Sequence, residues 1–140
     1  MASNAETALE YYKRVDAGQD DLLDLFDENF ELFFPKFGIA RGKAAFGSLA
    51  TGLFGSLNSI AHDQLRVIDA GDTVVIEGTT HGATIDGTEW KGGETPGGRF
   101  CSVFEFGGGL ITRMFIYLDP DYGSHDKDRF LWNDVPGRTW

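Results

Sequence analysis

Few side chains in this 140-residue chain are able to do chemistry. His62, His81 and His125 are the groups that trade a proton near neutral pH. Tyr11 and Tyr12 stand together in a run with helical spacing, Tyr11 seven residues ahead of Gly18. Phe34 closes the run FELFF (30–34) just before Pro35, a strand end beside a helix. A carboxylate there would suit proton abstraction next to a carbonyl, work that phenylalanine cannot do.

Other chemistries find less support. Three scattered histidines and one cysteine give no pair at metal-ligand spacing, so no metal is expected. Cys101 alternates with Ser102 and should point away from a pocket, without a base to activate it. The glycines at 92–93, 97–98 and 107–109 read as hairpin turns, because no helix follows them to cradle a phosphate. His81 alternates with Thr80 and is expected on the outer face, and His125 falls in a polar tail. Asp119 is read as a turn or cap residue.

The elements that must position these groups follow from periodicity. Ser3 and Glu6 have capping-box spacing, and Ala5, Ala8, Leu9, Tyr12 and Val15 make the apolar stripe of a helix that Gly18 ends. Leu22, Leu25 and Phe26 predict a short second helix, and residues 30–34 a strand stopped by Pro35. A third helix opens at Gly42; its Gly47, Gly52 and Gly55 weaken it alone and suggest close packing on a sheet. Strands follow at 62–69, 73–84, 99–106 and 110–118, with a glycine-rich loop at 86–98. Phe130, Leu131, Trp132 and Trp140 are expected to anchor the tail.

Length and pattern predict one domain over 1–140, with a core of about 5–120 and a tail from 120. The net charge of −10 speaks against nucleic acid and anionic membranes as partners. There is no basic start followed by an apolar run and no stretch of roughly 18 apolar residues, so a cytoplasmic protein is expected. Twelve phenylalanines suggest a core or cavity with aromatic walls.

The order of these elements, with Tyr11…Ala17-Gly18, Leu25-Phe26, Phe34-Pro35, Gly42, Gly71-Asp72 and Gly109-Leu110-Ile111…Tyr117-Leu118-Asp119, resembles the SnoaL-like branch of the nuclear transport factor 2-like superfamily. The resemblance covers roughly residues 8–120. It implies an α+β, cystatin-like cone-shaped barrel: a curved antiparallel sheet wrapped around three N-terminal helices and a deep apolar pocket. Fold alone does not give function here, since members include isomerases, cyclases, hydrolases, dehydratases and non-enzymes.

Against ketosteroid isomerases, Tyr11 matches the pocket tyrosine, the general base falls on Phe34 and the oxyanion-hole acid on Ser102. The charged groups of limonene-type epoxide hydrolases fall on Gly78, Thr80 and Ile116, and the aspartate of SnoaL-type cyclases also falls on Ile116. The isomerase and epoxide-hydrolase mechanisms are thereby excluded; for the cyclase one, Asp119 lies three residues on, where alternation puts it on the opposite face. The working histidine of scytalone-type and bile-acid dehydratases matches His62.

The resemblance therefore implies two functions. One is a cofactor-independent lyase or isomerase acting on an apolar cyclic carbonyl compound. In it, His62 is acid/base, Tyr11 a hydrogen-bond donor, and Phe34, Thr80, Ser102, Phe104, Met114 and Ile116 the substrate wall. The other is a non-catalytic small-molecule-binding or assembly module. For His62 a satisfied structural histidine stands beside the catalytic reading, and for Tyr11 plain packing stands beside a hydroxyl in the pocket. Consecutive apolar residues Val74, Val75 and Ile76 cover both sheet faces, which fits a homodimer through the outer one.

Overall fold

A computed structural model describes residues 1–129 and 135–140. Of the expected tail anchors, Phe130, Leu131 and Trp132 lie outside the described residues.

Helix α1 (Asn4–Ala17) starts at the expected capping box: Glu6 N–H donates to the Ser3 hydroxyl and Ser3 N–H to the Glu6 carboxylate. It ends at Gly18, whose φ of 63° is the left-handed turn a glycine takes without strain. Its buried face is Thr7, Ala8, Tyr11 and Tyr12. Leu9, expected in the stripe, is 37% exposed. Tyr11 swings the buried arc away from it by packing edge-on against Phe26 and Phe104, ring centroids 5.9 and 6.0 Å apart.

Two α-helices are present among the described residues rather than three. The expected second helix is a single 3-10 turn at Leu22–Leu25, because the chain at once becomes strand β1 (Phe26–Phe34). That strand starts four residues earlier than the apolar run suggested. Polar Asp27, Glu28 and Asn29 sit at an irregularity between the Phe26↔Ile111 and Glu31↔Arg113 pairs. Strand β2 (Gly38–Arg41) hairpins back on it, and α2 (Gly42–Gly55) follows, burying Phe46 and Leu49. A Cβ at Gly47, Gly52 or Gly55 would meet nothing within 4 Å, so these glycines do not serve close packing.

The remaining strands are β3 (Leu57–Asp69), β4 (Thr73–Thr84), β5 (Glu89–Lys91), β6 (Arg99–Gly107) and β7 (Leu110–Leu118). The sheet runs β2-β1-β7-β6-β4-β3, with β5 on β4. All neighbours are antiparallel except β1 and β7, so the sheet is mixed rather than purely antiparallel. Strand β5 lies inside what the sequence reads as a loop, and β3 begins at Leu57 rather than His62.

The inner face carries the core, with Phe30, Leu32, Val74, Ile76, Phe104, Ile111 and Met114 essentially unexposed. At Gly78 a Cβ would lie 2.1 Å from the Asp63 carbonyl oxygen and 2.8 Å from the Phe100 ring, so only glycine fits that crossing. Among the described residues no helix is long and apolar enough to cross a membrane.

Candidate functional site

Between α1, α2 and the inner face of the sheet lies an apolar cavity of about 50 Å³, enough for several water-sized groups. Helix α2 gives it Phe46, Leu49 and Leu53, and β1 gives it Leu32 and Phe34. Five of the eight expected site residues line it: Tyr11, Phe34, His62, Ser102 and Ile116.

Thr80, Phe104 and Met114 do not. Phe104 pairs with Met114 in the β6–β7 register, and both are fully buried one step beyond Ser102 and Ile116. They plug the inner core next to the cavity rather than line it. The Thr80 hydroxyl accepts from Trp90 Nε1 at 2.9 Å and donates to the Gly98 carbonyl at 3.3 Å, which ties β4 to the β5 hairpin.

One residue of the wall, His62, is paired with a carboxylate. His62 Nδ1 lies 2.6 Å from Asp16 Oδ1, and the His62 backbone N–H donates to Asp16 Oδ2 at 2.8 Å. Both side chains are mostly shielded, His62 14% and Asp16 25% exposed. A carboxylate accepting from Nδ1–H fixes the tautomer and leaves the Nε2 lone pair as the proton acceptor.

The ring is held on its faces as well. The Tyr12 ring lies 5.0 Å from it and the Phe100 ring 5.4 Å, edge-on. Tyr12 is fixed in turn, its hydroxyl donating to Ser102 Oγ at 2.7 Å in a buried bond. Burial pushes the Tyr12 phenol well above its usual range, against the opposing pull of the Ser102 bond.

Tyr11 also lines the cavity, and among the described residues its hydroxyl has no hydrogen-bond partner. Burial, then the Tyr122 phenol and the Asp16 carboxylate, raise its pKa far above 10. It is a neutral donor at any physiological pH. The tyrosine division expected from sequence, Tyr12 in the core and Tyr11 at the pocket, is thus only half of the arrangement: both line the cavity, and Tyr12 spends its hydroxyl on Ser102.

The remaining candidates lie elsewhere. His81 is exposed and 3.2 Å from Asp63. His125 is exposed, with Asp121 at 3.1 Å on Nδ1 and Asp86 at 3.4 Å on Nε2. Asp119 accepts the Asp121 N–H at 2.9 Å and closes a turn. Cys101 is half-buried on the opposite face, its thiol pushed up by burial and by Glu77. No group of three or more His, Cys, Asp and Glu among the described residues is placed to hold a metal ion.

Sequence reasoning missed two residues of the site. Asp16 carried a signal: it follows Tyr12 by one helical turn, and an acid in a helix's last turn opposes the dipole unless something else employs it. Tyr122 sits in the tail and lines the cavity from outside the sheet, where no periodicity marks it.

A family model described as a SnoaL-like domain matches residues 8–114. No curated protein matches the chain. Among solved structures, an NTF2-like protein of unknown function from Burkholderia pseudomallei superposes with a TM-score of 0.75 at 16% identity, covering 86% of this chain and 93% of that one. TerC, co-crystallised with polyporic acid, gives 0.73 at 21% identity, covering 84% and 92%. A candidate SnoaL-like polyketide cyclase from Jannaschia sp. CCS1 gives 0.71 at 19% identity, covering 83% and 85%. At these identities the structural matches speak for the fold alone.

Proposed function

The chain belongs to the SnoaL-like domain family, and on that premise we propose that it is a cofactor-independent lyase or isomerase, dehydratase- or cyclase-like, acting on an apolar cyclic carbonyl compound. The observation that carries this reading is His62 on the wall of an apolar cavity, with Asp16 behind it 2.6 Å from its Nδ1. A histidine oriented by a carboxylate, with no partner on its second nitrogen among the described residues, is the arrangement a general base needs.

In a dehydration, His62 Nε2 takes the proton from the carbon beside the carbonyl. The C–H electrons form an enolate, whose oxygen receives a hydrogen bond from Tyr11. The imidazolium then gives its proton to the β-hydroxyl as the C–O bond breaks, releasing water and an enone. Returning the proton to a different carbon instead makes the same groups an isomerase. The neighbours' descriptions, a protein crystallised with polyporic acid and a candidate polyketide cyclase, fit a small-molecule pocket.

The second reading is a binding or assembly module. It is favoured by the uncharged side chains at Phe34, Thr80, Ser102 and Ile116 and by Gly78, where no side chain fits. Incubation with cyclic β-hydroxy ketones, followed by enone absorbance, separates the two. Enone formation that His62→Gln abolishes supports the enzyme; bound ketone with no enone supports the module.

The outer sheet face is proposed as a homodimer interface. In the strand register Ile39, Phe33, Phe115, Val103, Val75 and Ile68 form one apolar row across six strands. Beside it the face carries Glu31, Glu77 and Glu105 against Arg41, Arg66 and Arg113 in register. That balance, on a chain of net charge −10, lets two copies meet there without the repulsion of the rest of the surface.

A further inference from the structure

Tyr122 follows β7 and lies beyond residues 8–114, the part the family model matches. It is nonetheless a built part of the cavity. Its ring is 5% exposed and stacks on Trp90 with centroids 4.7 Å apart and planes at 24°. Trp90 is pinned by its bond to Thr80, so a chain of contacts leads from β4 through β5 to the tail ring. The tail backbone comes close because a Cβ at Gly97 would lie 2.6 Å from the Tyr122 carbonyl oxygen. On either side of the ring, Asp119 accepts the Asp121 N–H, and Ser124 N–H donates to the Asp121 carbonyl at 3.0 Å.

Tyr11 and Tyr122 thus line one cavity from opposite elements, α1 and the tail, each more than nine-tenths buried. Among the described residues neither hydroxyl has a hydrogen-bond partner. Burial pushes both phenols far above their usual range, so both stay protonated. Two O–H donors on one cavity wall, each on a mostly buried side chain and without an acceptor among the described residues, are a site open to an acceptor atom.

We propose that Tyr122 is a second oxygen-binding residue of the cavity, forming with Tyr11 a two-donor clamp for one ligand oxygen that carries full or developing negative charge. The ligand class is then cyclic compounds with an acidic enol or phenol. Phe34 and Ile116 contact the hydrocarbon, and the clamp holds the oxygen that becomes an enolate. The clamp rests on the proposed reaction only for its catalytic use; as a binding site it stands without it.

The test uses 4-nitrophenolate as the oxygen-bearing probe and 4-nitrotoluene as its counterpart without the oxygen, titrated into the full chain. Tyr122→Phe and Tyr11→Phe are each expected to weaken nitrophenolate binding by about tenfold to a hundredfold while leaving nitrotoluene binding within about twofold, the loss of a hydrogen bond to a charged group. Unchanged nitrophenolate affinity in Tyr122→Phe, equal weakening of both probes, or no nitrophenolate binding to the wild type overturns the proposal. The readout is binding, not turnover. A chain that dehydrates no ketone can still pass it, and an active enzyme whose nitrophenolate binding ignores Tyr122 fails it.

Discussion

Asp16 grips His62 twice, through the ring Nδ1 at 2.6 Å and the backbone N–H at 2.8 Å. The second bond ties the carboxylate to the strand that carries the ring, so helix α1 and β3 are locked together beside the cavity. An acid in the last turn of a helix costs about 0.3–1 kcal/mol against the dipole at an exposed site, and this double contact is what offsets it.

Asp16→Asn keeps the shape and removes the charge. An amide no longer selects the tautomer with Nε2 free, so turnover of an identified substrate should fall by about 10²–10⁴-fold, with KM nearly unchanged. Steady-state kinetics checks this, with circular dichroism confirming that the fold is retained.

The glycines divide into two kinds. Gly47 and Gly52 are helical with open space at the Cβ position, so alanine there should stabilise by about 0.4–1 kcal/mol. Gly78→Ala drives a methyl into the Asp63 carbonyl and should cost about 3 kcal/mol, the upper part of the usual overpacking range. Urea denaturation of the three variants should show opposite signs.

The tail carries a pH response. Asp121, by hydrogen bond and charge, and then Asp86 raise the pKa of His125 above its ordinary 6.5. Protonated His125 therefore favours the folded tail: its contribution is full below pH 6.5 and is lost as pH rises through the raised value. The partner carboxylates Asp86 and Asp121 are held below 3.8, so their contribution persists above that pH and fails only in strong acid. A melting-temperature series should show the wild type losing its advantage over His125→Gln between pH 6.5 and the alkaline side of that transition. Identical profiles would remove His125 from the account.

For assembly, Phe115→Glu places a charge in the middle of the outer apolar row. Light scattering over a concentration series should give a dimer for the wild type and a monomer for the variant. A monomeric wild type at every concentration would contradict the proposed interface.

Much of the architecture was legible because local signals agreed. Ser3 with Glu6 marked the start of α1, Gly18 its end, and alternation marked β4, β6 and β7. What failed was whatever tertiary contact decides. Leu22–Leu25 has a helical stripe but no length in which to form more than a turn before β1 pairs with β7. Glu89–Lys91 is a strand only because β4 is there to receive it. The site was legible where a side chain follows a strand's alternation, as at Ser102 and Ile116. It was not legible where a residue acts across elements, as Asp16 does on β3 and Tyr122 does from the tail. Thr80 shares the buried side of the sheet, but its neighbour there is Trp90 on β5, which the sequence reading had placed in a loop.

His62, oriented by Asp16, is proposed to move a proton beside a carbonyl in this cavity. The most direct measurement is deuterium exchange at the α-carbon of a bound cyclic ketone in D₂O, followed by NMR, because it reads proton transfer without the natural substrate. Exchange should be catalysed by the wild type and reduced by about 10²–10⁴-fold in His62→Gln at unchanged ketone affinity. Equal exchange in wild type and variant, or none for any ketone that binds, would contradict it.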